Sequence, residues 1–210
     1  MTRIKICGIT SREDAFMAVD AGANALGFIF AKSPRRILPE KAREIILSLP
    51  PFVQTVGVFV NERPVDIKEI ISYCGLDLVQ LHGNESVDEC MSFMPRTVKA
   101  FQVKDDSSLE QITPYVGKVR AFVLDTYSMQ ARGGTGETFD WRLAVVAKKA
   151  GVPVVLAGGL SPANVGEAVS FVEPFAVDLN SGVEDRPGRK SPLLVRQAVS
   201  AVRQADMCNL

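Results

Sequence analysis

Residues 3–14 read Arg3-Ile4-Lys5-Ile6-Cys7-Gly8-Ile9-Thr10-Ser11-Arg12-Glu13-Asp14, a short apolar run that passes at once into a helix start. Side chains alternate across a strand, so Ile4 and Ile6 share one face and Arg3, Lys5 and Cys7 the other. Thr10 and Ser11 then offer a side-chain oxygen to cap a helix whose first turn carries Glu13 and Asp14, at the positive end of the helix dipole. The stretch is one strand followed by one helix, with a thiol where the strand ends. The same grammar repeats along the chain. Strands are expected at residues 3–7, 25–30, 54–60, 77–81, 97–101, 120–125, 153–157 and 175–179, with further helix starts at Pro39-Glu40, Pro64-Val65-Asp66 and Ser161-Pro162.

Eight strand-helix units with no insertion large enough for another domain predict an α/β protein, a single-domain (β/α)8 TIM barrel over residues 1–210. The rival is an open doubly wound sheet. Its dinucleotide-binding form needs G-x-G-x-x-G at the first turn, where this chain has Cys7-Gly8-Ile9-Thr10. Hydrophobic residues make up 47% of the chain, material for one large core. The 24 basic and 24 acidic residues cancel, so no overall field draws the chain to nucleic acid or anionic lipid, and an anionic ligand must be held locally. Four cysteines without C-x-x-C spacing and a single histidine, His82, argue against a disulfide framework and a zinc site, so no metal is expected. No basic region leads into a long apolar run at the amino end, and no segment reaches the ~18 apolar residues that span a bilayer. The expectation is a soluble cytoplasmic protein with no membrane or nucleic-acid partner. A monomer is expected too, since no long apolar segment stands apart from the helix faces.

In a parallel barrel the carboxyl ends of the strands form the functional rim. Alternation sends Lys5 and Cys7 toward the axis from the first strand, Gln80 and His82 from the fourth, Val123 and Asp125 from the sixth, and Asp178 from the eighth. Cys7 and Asp125 then share the mouth, and a thiol with a carboxyl there suggests acid–base chemistry without metal or cofactor. Lys5 lies one layer deeper and needs a compensating carboxylate, for which Asp178 is the candidate. His82 is either a satisfied rim residue or a direct participant, since histidine titrates near neutrality. Cys74, Cys90 and Cys208 fall on helical segments or the tail and read as small hydrophobes. Gly158, Gly159, Ser181 and Gly182 follow the seventh and eighth strands, where exposed backbone N–H groups can form a phosphate site. After the second strand, Lys32-Ser33-Pro34-Arg35-Arg36 can present a guanidinium fork to a carboxylate. The run 127–137 contains Arg132-Gly133-Gly134-Thr135-Gly136 without a following Gly-Lys-Ser/Thr, which suits a lid rather than a Walker loop.

Taken in order, Lys5-Ile6-Cys7-Gly8-Ile9-Thr10, Gln80-Leu81-His82-Gly83, Leu124-Asp125-Thr126 with Gly133-Gly134-Thr135-Gly136 and Phe139-Asp140-Trp141, Ala157-Gly158-Gly159-Leu160 and Ser181-Gly182-Val183-Glu184 closely resemble the phosphoribosylanthranilate isomerase family. The resemblance runs over nearly the whole chain. It implies a monofunctional enzyme of tryptophan biosynthesis acting on a small phosphosugar with no cofactor. The implied reaction is the Amadori rearrangement of N-(5'-phosphoribosyl)anthranilate to 1-(2-carboxyphenylamino)-1-deoxyribulose 5-phosphate. By the same resemblance Asp125 is the general acid on the furanose ring oxygen and Cys7 the general base at the sugar's second carbon. Arg36 would hold the anthranilate carboxylate, with Arg35 as its adjacent competitor, and Gln80, His82 and Asp178 would line the substrate site. Asn180 stands where the family commonly has serine. Such roles ask for thiolate stabilisation, since a free thiol ionises near ~8.5, and for a proton kept on a carboxyl group that ordinarily loses it near ~3.9. A Schiff-base aldolase using a strand lysine such as Lys99 and a phosphosugar-binding barrel without turnover are the competing readings.

Overall fold

Eight parallel strands close into a ring in which each pairs with the next and the last pairs with the first. They are β1 (Arg3–Cys7), β2 (Ala25–Ile29), β3 (Gln54–Phe59), β4 (Leu78–Leu81), β5 (Thr97–Val103), β6 (Ala121–Thr126), β7 (Val154–Leu156) and β8 (Ala176–Leu179). Between and after them run α1 (Arg12–Asp20), α2 (Pro39–Ser48), α3 (Pro64–Cys74), α4 (Val87–Met91), α5 (Ser107–Glu110), α6 (Arg142–Lys148), α7 (Val165–Val172) and α8 (Pro192–Cys208). A short antiparallel hairpin, β9 (Glu184–Arg186) and β10 (Arg189–Lys190), stands outside the ring. This computed structural model describes residues 1–126 and 140–208, and the lid expected over 127–137 lies outside the described residues. Among the described residues no helix is long and apolar enough to cross a membrane.

The strands place their apolar side chains in two layers. Ile4, Ile6, Leu26, Phe28, Leu124 and Leu179 face outward into a continuous core with the helices. On the axis the packing is smaller and partly polar: Val98, Ala100, Val123, Val155, Ala157 and Ala176 form one cluster, and Cys7, Ile29 and Val58 another. Lys5, Gln80 and Asp178 fill the same interior and are buried. Arg3, also directed inward by alternation, lies at the open lower end and stacks its guanidinium over Phe175 at 4.5 Å.

Most elements begin where local chemistry predicts. Ser11 caps α1 by accepting from Asp14 N at 3.1 Å, and Pro39 and Pro64 open α2 and α3. Strand bounds agree with the pattern to within a residue, except that β5 runs on to Val103. Three differences have local causes. Ser161-Pro162 does not start a helix: Asn164 accepts from Ser161 N at 2.8 Å and donates to Gly159 O at 3.0 Å, closing a turn that delays α7 to Val165. The β5–β6 connection holds only the four-residue α5 and a 3-10 turn, Thr113–Tyr115, before Gly117 at φ +73°. The hairpin has no alternating apolar face to announce it and is held instead by the charges described below.

The two ends of the chain are fastened together at the base of β1. Asp206 on α8 accepts from Thr2 N at 2.9 and 3.0 Å and from Thr2 Oγ1 at 2.7 Å, and Arg203 donates to Thr2 O at 2.6 Å. Burial would raise the Asp206 carboxyl, but the Thr2 bonds and Arg203 outweigh it and hold it below its ordinary value of 3.8. Asp206→Ala should therefore cost about 1–3 kcal/mol, the usual penalty for orphaning buried donors. Because the folded value is depressed, the difference should be full above the unfolded carboxyl's ordinary value and shrink as pH falls through the lower folded one. Urea unfolding of parent and variant at neutral and acid pH measures both.

Candidate active site

At the carboxyl ends of the strands the barrel opens into a cavity of about 1200 Å³ whose lining includes Cys7, His82, Asp125, Gly158, Asp178 and Ser181. Cys7 reaches it from β1 and Asp125 from β6, so the thiol and the carboxyl face one mouth from different sides of the ring. Arg36 is not part of this lining: it is exposed and makes no ion pair with another described residue. Gly182 lies at the edge of a second, smaller cleft with Ser161, Pro162 and Leu194. Among the described residues no group of three or more His, Cys, Asp or Glu is placed to hold a metal ion.

A row of polar side chains crosses the interior beneath the mouth. Lys5 Nζ donates to Asp178 Oδ2 at 2.6 Å and to Gln80 Oε1 at 2.9 Å. Gln80 Nε2 lies 3.1 Å from His82 Nδ1, and His82 Nε2 lies 3.3 Å from Asp125 Oδ2. The other Asp125 oxygen accepts from Thr126 N at 2.8 Å. Asp178 Oδ1 is buried without a partner among the described residues, on a side chain that lines the cavity. Burial alone would lower the Lys5 ammonium, yet the neighbouring Asp178 carboxylate and the Cys7 sulfur reverse that and leave it raised.

The thiol departs from expectation. Burial pushes Cys7 above its ordinary value of 9.0, and the Asp178 charge pushes the same way, against the opposing Lys5 and Lys190 ammoniums. The two positive neighbours do not overcome desolvation, so Cys7 rests as a thiol and the expected net stabilisation of its thiolate is absent. Its space is set by Gly27, opposite it in the β1–β2 register: a Cβ there would come within 2.6 Å of Cys7 Sγ and 3.0 Å of Lys5 Cε. An isolated glycine inside a strand signals such an approach, and Leu26-Gly27-Phe28 carries that signal.

The glycines after β7 and β8 have a packing role besides the one read from the sequence. Gly158 sits at φ +82°, and a Cβ there would strike the Thr126 backbone and stand 2.8 Å from Asp125 Oδ1. At Gly182 a Cβ would strike the Leu160 carbonyl, so the two loops approach each other backbone to backbone. The N–H groups of Gly158 and Gly159 donate to no other described residue.

Arg35 and Arg36 separate sharply. Arg35 is buried and grips Glu184 with Nε at 3.0 Å and Nη2 at 2.8 Å, which removes it as a carboxylate fork. Glu184 also receives Lys190 Nζ at 2.8 Å, and that wholly buried ammonium donates to Asn180 O at 3.1 Å and Oδ1 at 3.0 Å. Burial lowers Lys190 despite Glu184, whereas for Glu184 the Arg35 and Lys190 contacts overcome burial and lower it. These contacts dock the hairpin on the mouth and explain how asparagine is accommodated at position 180. None of Glu184, Lys190 and Gly27 was singled out from sequence; only Gly27 had a local signal.

Lys99 lies on the face opposite Val98 and Ala100, away from the axis. Its Nζ donates to Gly83 O at 2.7 Å and to Glu85 Oε2 and Ala100 O at 3.1 Å. An ammonium so fully engaged is not a free amine for a Schiff base.

The family model described as N-(5'phosphoribosyl)anthranilate (PRA) isomerase matches residues 4–201. N-(5'-phosphoribosyl)anthranilate isomerase of Geobacter sulfurreducens is 54% identical over 200 residues, covering 95% of this chain and 97% of its own. The crystal structure of phosphoribosyl anthranilate isomerase from Thermotoga maritima superposes with a TM-score of 0.91 at 42% identity, covering 97% of this chain and 100% of that one. A phosphoribosyl anthranilate isomerase structure in complex with reduced 1-(o-carboxyphenylamino)-1-deoxyribulose 5-phosphate superposes with a TM-score of 0.88 at 41% identity, over 97% and 100% of the two chains.

The upward displacement of Cys7 has a readout independent of turnover. With an ionisation above 9.0, less than about 1% of this thiol is thiolate at pH 7, below the share of a free cysteine. Iodoacetamide should therefore label exposed Cys208 first, and Cys7 more slowly than free cysteine, with a rate that climbs as pH rises past 9.0. Peptide mass mapping against time at several pH values measures it; rapid labelling of Cys7 at pH 7 would contradict the direction.

Proposed function

Since this chain belongs to the N-(5'-phosphoribosyl)anthranilate isomerase family, we propose that Asp125 and Cys7 perform the family's rearrangement as general acid and general base from two sides of the mouth. The protein is an isomerase of tryptophan biosynthesis, converting N-(5'-phosphoribosyl)anthranilate to 1-(2-carboxyphenylamino)-1-deoxyribulose 5-phosphate. The observation that carries the residue assignment is the placement of one thiol and one carboxyl on the same cavity, on strands that do not adjoin.

Asp125 gives its proton to the furanose ring oxygen as the bond from that oxygen to the first sugar carbon breaks. The substrate's own nitrogen supplies the electron pair for the imine. Cys7, as thiolate, takes the proton from the second carbon, and those electrons flow toward the imine nitrogen to give an enolamine. A proton then enters at the first carbon as the enol hydroxyl on the second carbon loses its own, which yields the ketone and returns the proton that Cys7 took and the one that Asp125 gave. The product has the composition of the substrate, so no oxidant or reductant enters. Because Cys7 rests protonated, its thiolate is a minor form at neutral pH, and the Lys5 ammonium beside it supplies the charge that makes the form accessible.

For binding, the reading places the phosphate on the backbone at Gly158, Gly159, Ser181 and Gly182, supported by the N–H groups of the two glycines, which are unpaired among the described residues. Asp178 Oδ1 accepts a sugar hydroxyl, the partner that its burial calls for. Exposed Arg36, unlike Arg35, has a guanidinium available for the anthranilate carboxylate. The chain is read as a cytoplasmic monomer. A single species of 22.8 kDa is then expected in sedimentation, and a doubled mass would point to Phe52, fully exposed between α2 and β3, as the first apolar group to test.

A coupled assay with freshly generated substrate separates the roles. Cys7→Ala and Asp125→Asn should each lower kcat about 10²-fold or more with binding largely kept, the usual scale of acid–base assistance. Arg36→Met should raise KM with a smaller effect on kcat. Parental turnover in either of the first two variants would remove that residue from the mechanism, and unchanged KM in the third would remove Arg36 from recognition.

A further inference from the structure

We propose that Gln80 is a positioning residue that keeps the acid's proton on Asp125 by barring it from His82, a role that rests on the reading of Asp125 as general acid. A histidine beside an aspartate ordinarily takes the shared proton, since imidazole ionises near ~6.5 and a carboxyl near ~3.9. An imidazolium next to Asp125 would leave a carboxylate where the reaction needs a carboxylic acid. The barrel prevents this through the orientation of one amide.

Lys5 can only donate, so the Gln80 group facing it at 2.9 Å must be the carbonyl oxygen. The Gln80 amide nitrogen, which also can only donate, then faces His82 Nδ1 at 3.1 Å. Nδ1 must accept. Protonating it would set N–H against N–H beside a buried glutamine. His82 is thereby neutral with its proton on Nε2, and that group stands 3.3 Å from Asp125 Oδ2. A second proton entering the pair goes to Asp125. The spacing is what β4 imposes: Gln80 and His82 are two residues apart, on one face, with their side chains adjacent.

The other charges around His82 come in pairs that leave this assignment alone. Lys5 of β1 meets Asp178 of β8, Lys99 of β5 meets Glu85, and Arg35 meets Glu184. Cys7, Tyr115 and the rim residues Lys32, Lys104 and Asp105 complete the titratable and charged lining among the described residues.

The chain's single histidine makes the proposal directly testable. Nitrogen NMR of the imidazole-labelled full chain should show a neutral ring protonated on Nε2 across about pH 5 to 8, the interval in which an ordinary histidine changes charge. Gln80→Glu keeps the size and the Lys5 contact but offers Nδ1 an acceptor, so His82 should be imidazolium at pH 7 and kcat should fall about 10²-fold with KM little changed. Gln80→Met removes the donor without adding an acceptor. In that variant His82 should change charge within the same interval and kcat should drop relative to the parent at its acidic end, which keeps the proposal testable if Gln80→Glu fails to fold. A parent histidine that becomes imidazolium, or carries its proton on Nδ1, overturns the proposal, as does a Gln80→Met enzyme with the parental pH profile. Parental turnover in Asp125→Asn would instead overturn the acid assignment while leaving the NMR outcome standing, so the two failures are distinguishable.

Discussion

Lys5 places a full positive charge in the barrel interior, and the arrangement of several strands follows from what is needed to keep it there. Burying an unpaired ammonium costs several kcal/mol, a large share of a domain's net stability. Asp178 meets it at 2.6 Å, and the two residues are direct partners in the β1–β8 register. The pair that offsets the charge therefore sits at the seam where the first and last strands close the ring. Gln80 takes a second donor of the same ammonium, which fixes which end of its amide is left for His82. A requirement of burial thus becomes a constraint on protonation three side chains away, beside the proposed acid.

The mouth is built on the same terms. Around Cys7 the space is cut close by Gly27, and the desolvation that raises the thiol is partly countered by two buried ammoniums. One of these, Lys190, belongs to a hairpin with no apolar face, whose place is set by Glu184 bridging Lys190 and Arg35. Such buried ion pairs add little net stability over well-packed apolar groups, but each becomes costly if one partner is removed. Their service here is to hold loops from β2 and β8 in one geometry. Opposite them Lys99 and Glu85 do the same for the loop that follows His82, since Glu85 also accepts from Asn61 N at 2.8 Å and Gly83 N at 2.9 Å.

How far the sequence could be read depended on the range of the interaction concerned. The eight strands, the caps at Ser11, Pro39 and Pro64, and the meeting of Cys7 with Asp125 at one end all follow from a period of two along each strand and from the direction of the chain. The pairing of Lys5 with Asp178 was legible too, because a buried charge demands an opposite one and few candidates faced the axis. The Ser161-Pro162 start misled, since proline after serine also suits the turn that Asn164 closes. The hairpin left no periodic trace.

What the sequence by itself determined was the barrel, its polarity, and the set of side chains brought to its functional end, because these depend on local geometry and on burial of alternating apolar residues. The tertiary structure alone decided which of two adjacent arginines was consumed by Glu184, that Lys99 was spent on Glu85 and three carbonyls, and which end of the Gln80 amide faced His82. It also decided that burial raises Cys7 despite two ammoniums nearby. Each of these is a sum of contacts between residues far apart in the chain, and electrostatic sums of that kind depend on ångström distances and on exclusion of water, neither of which is encoded in spacing along the sequence.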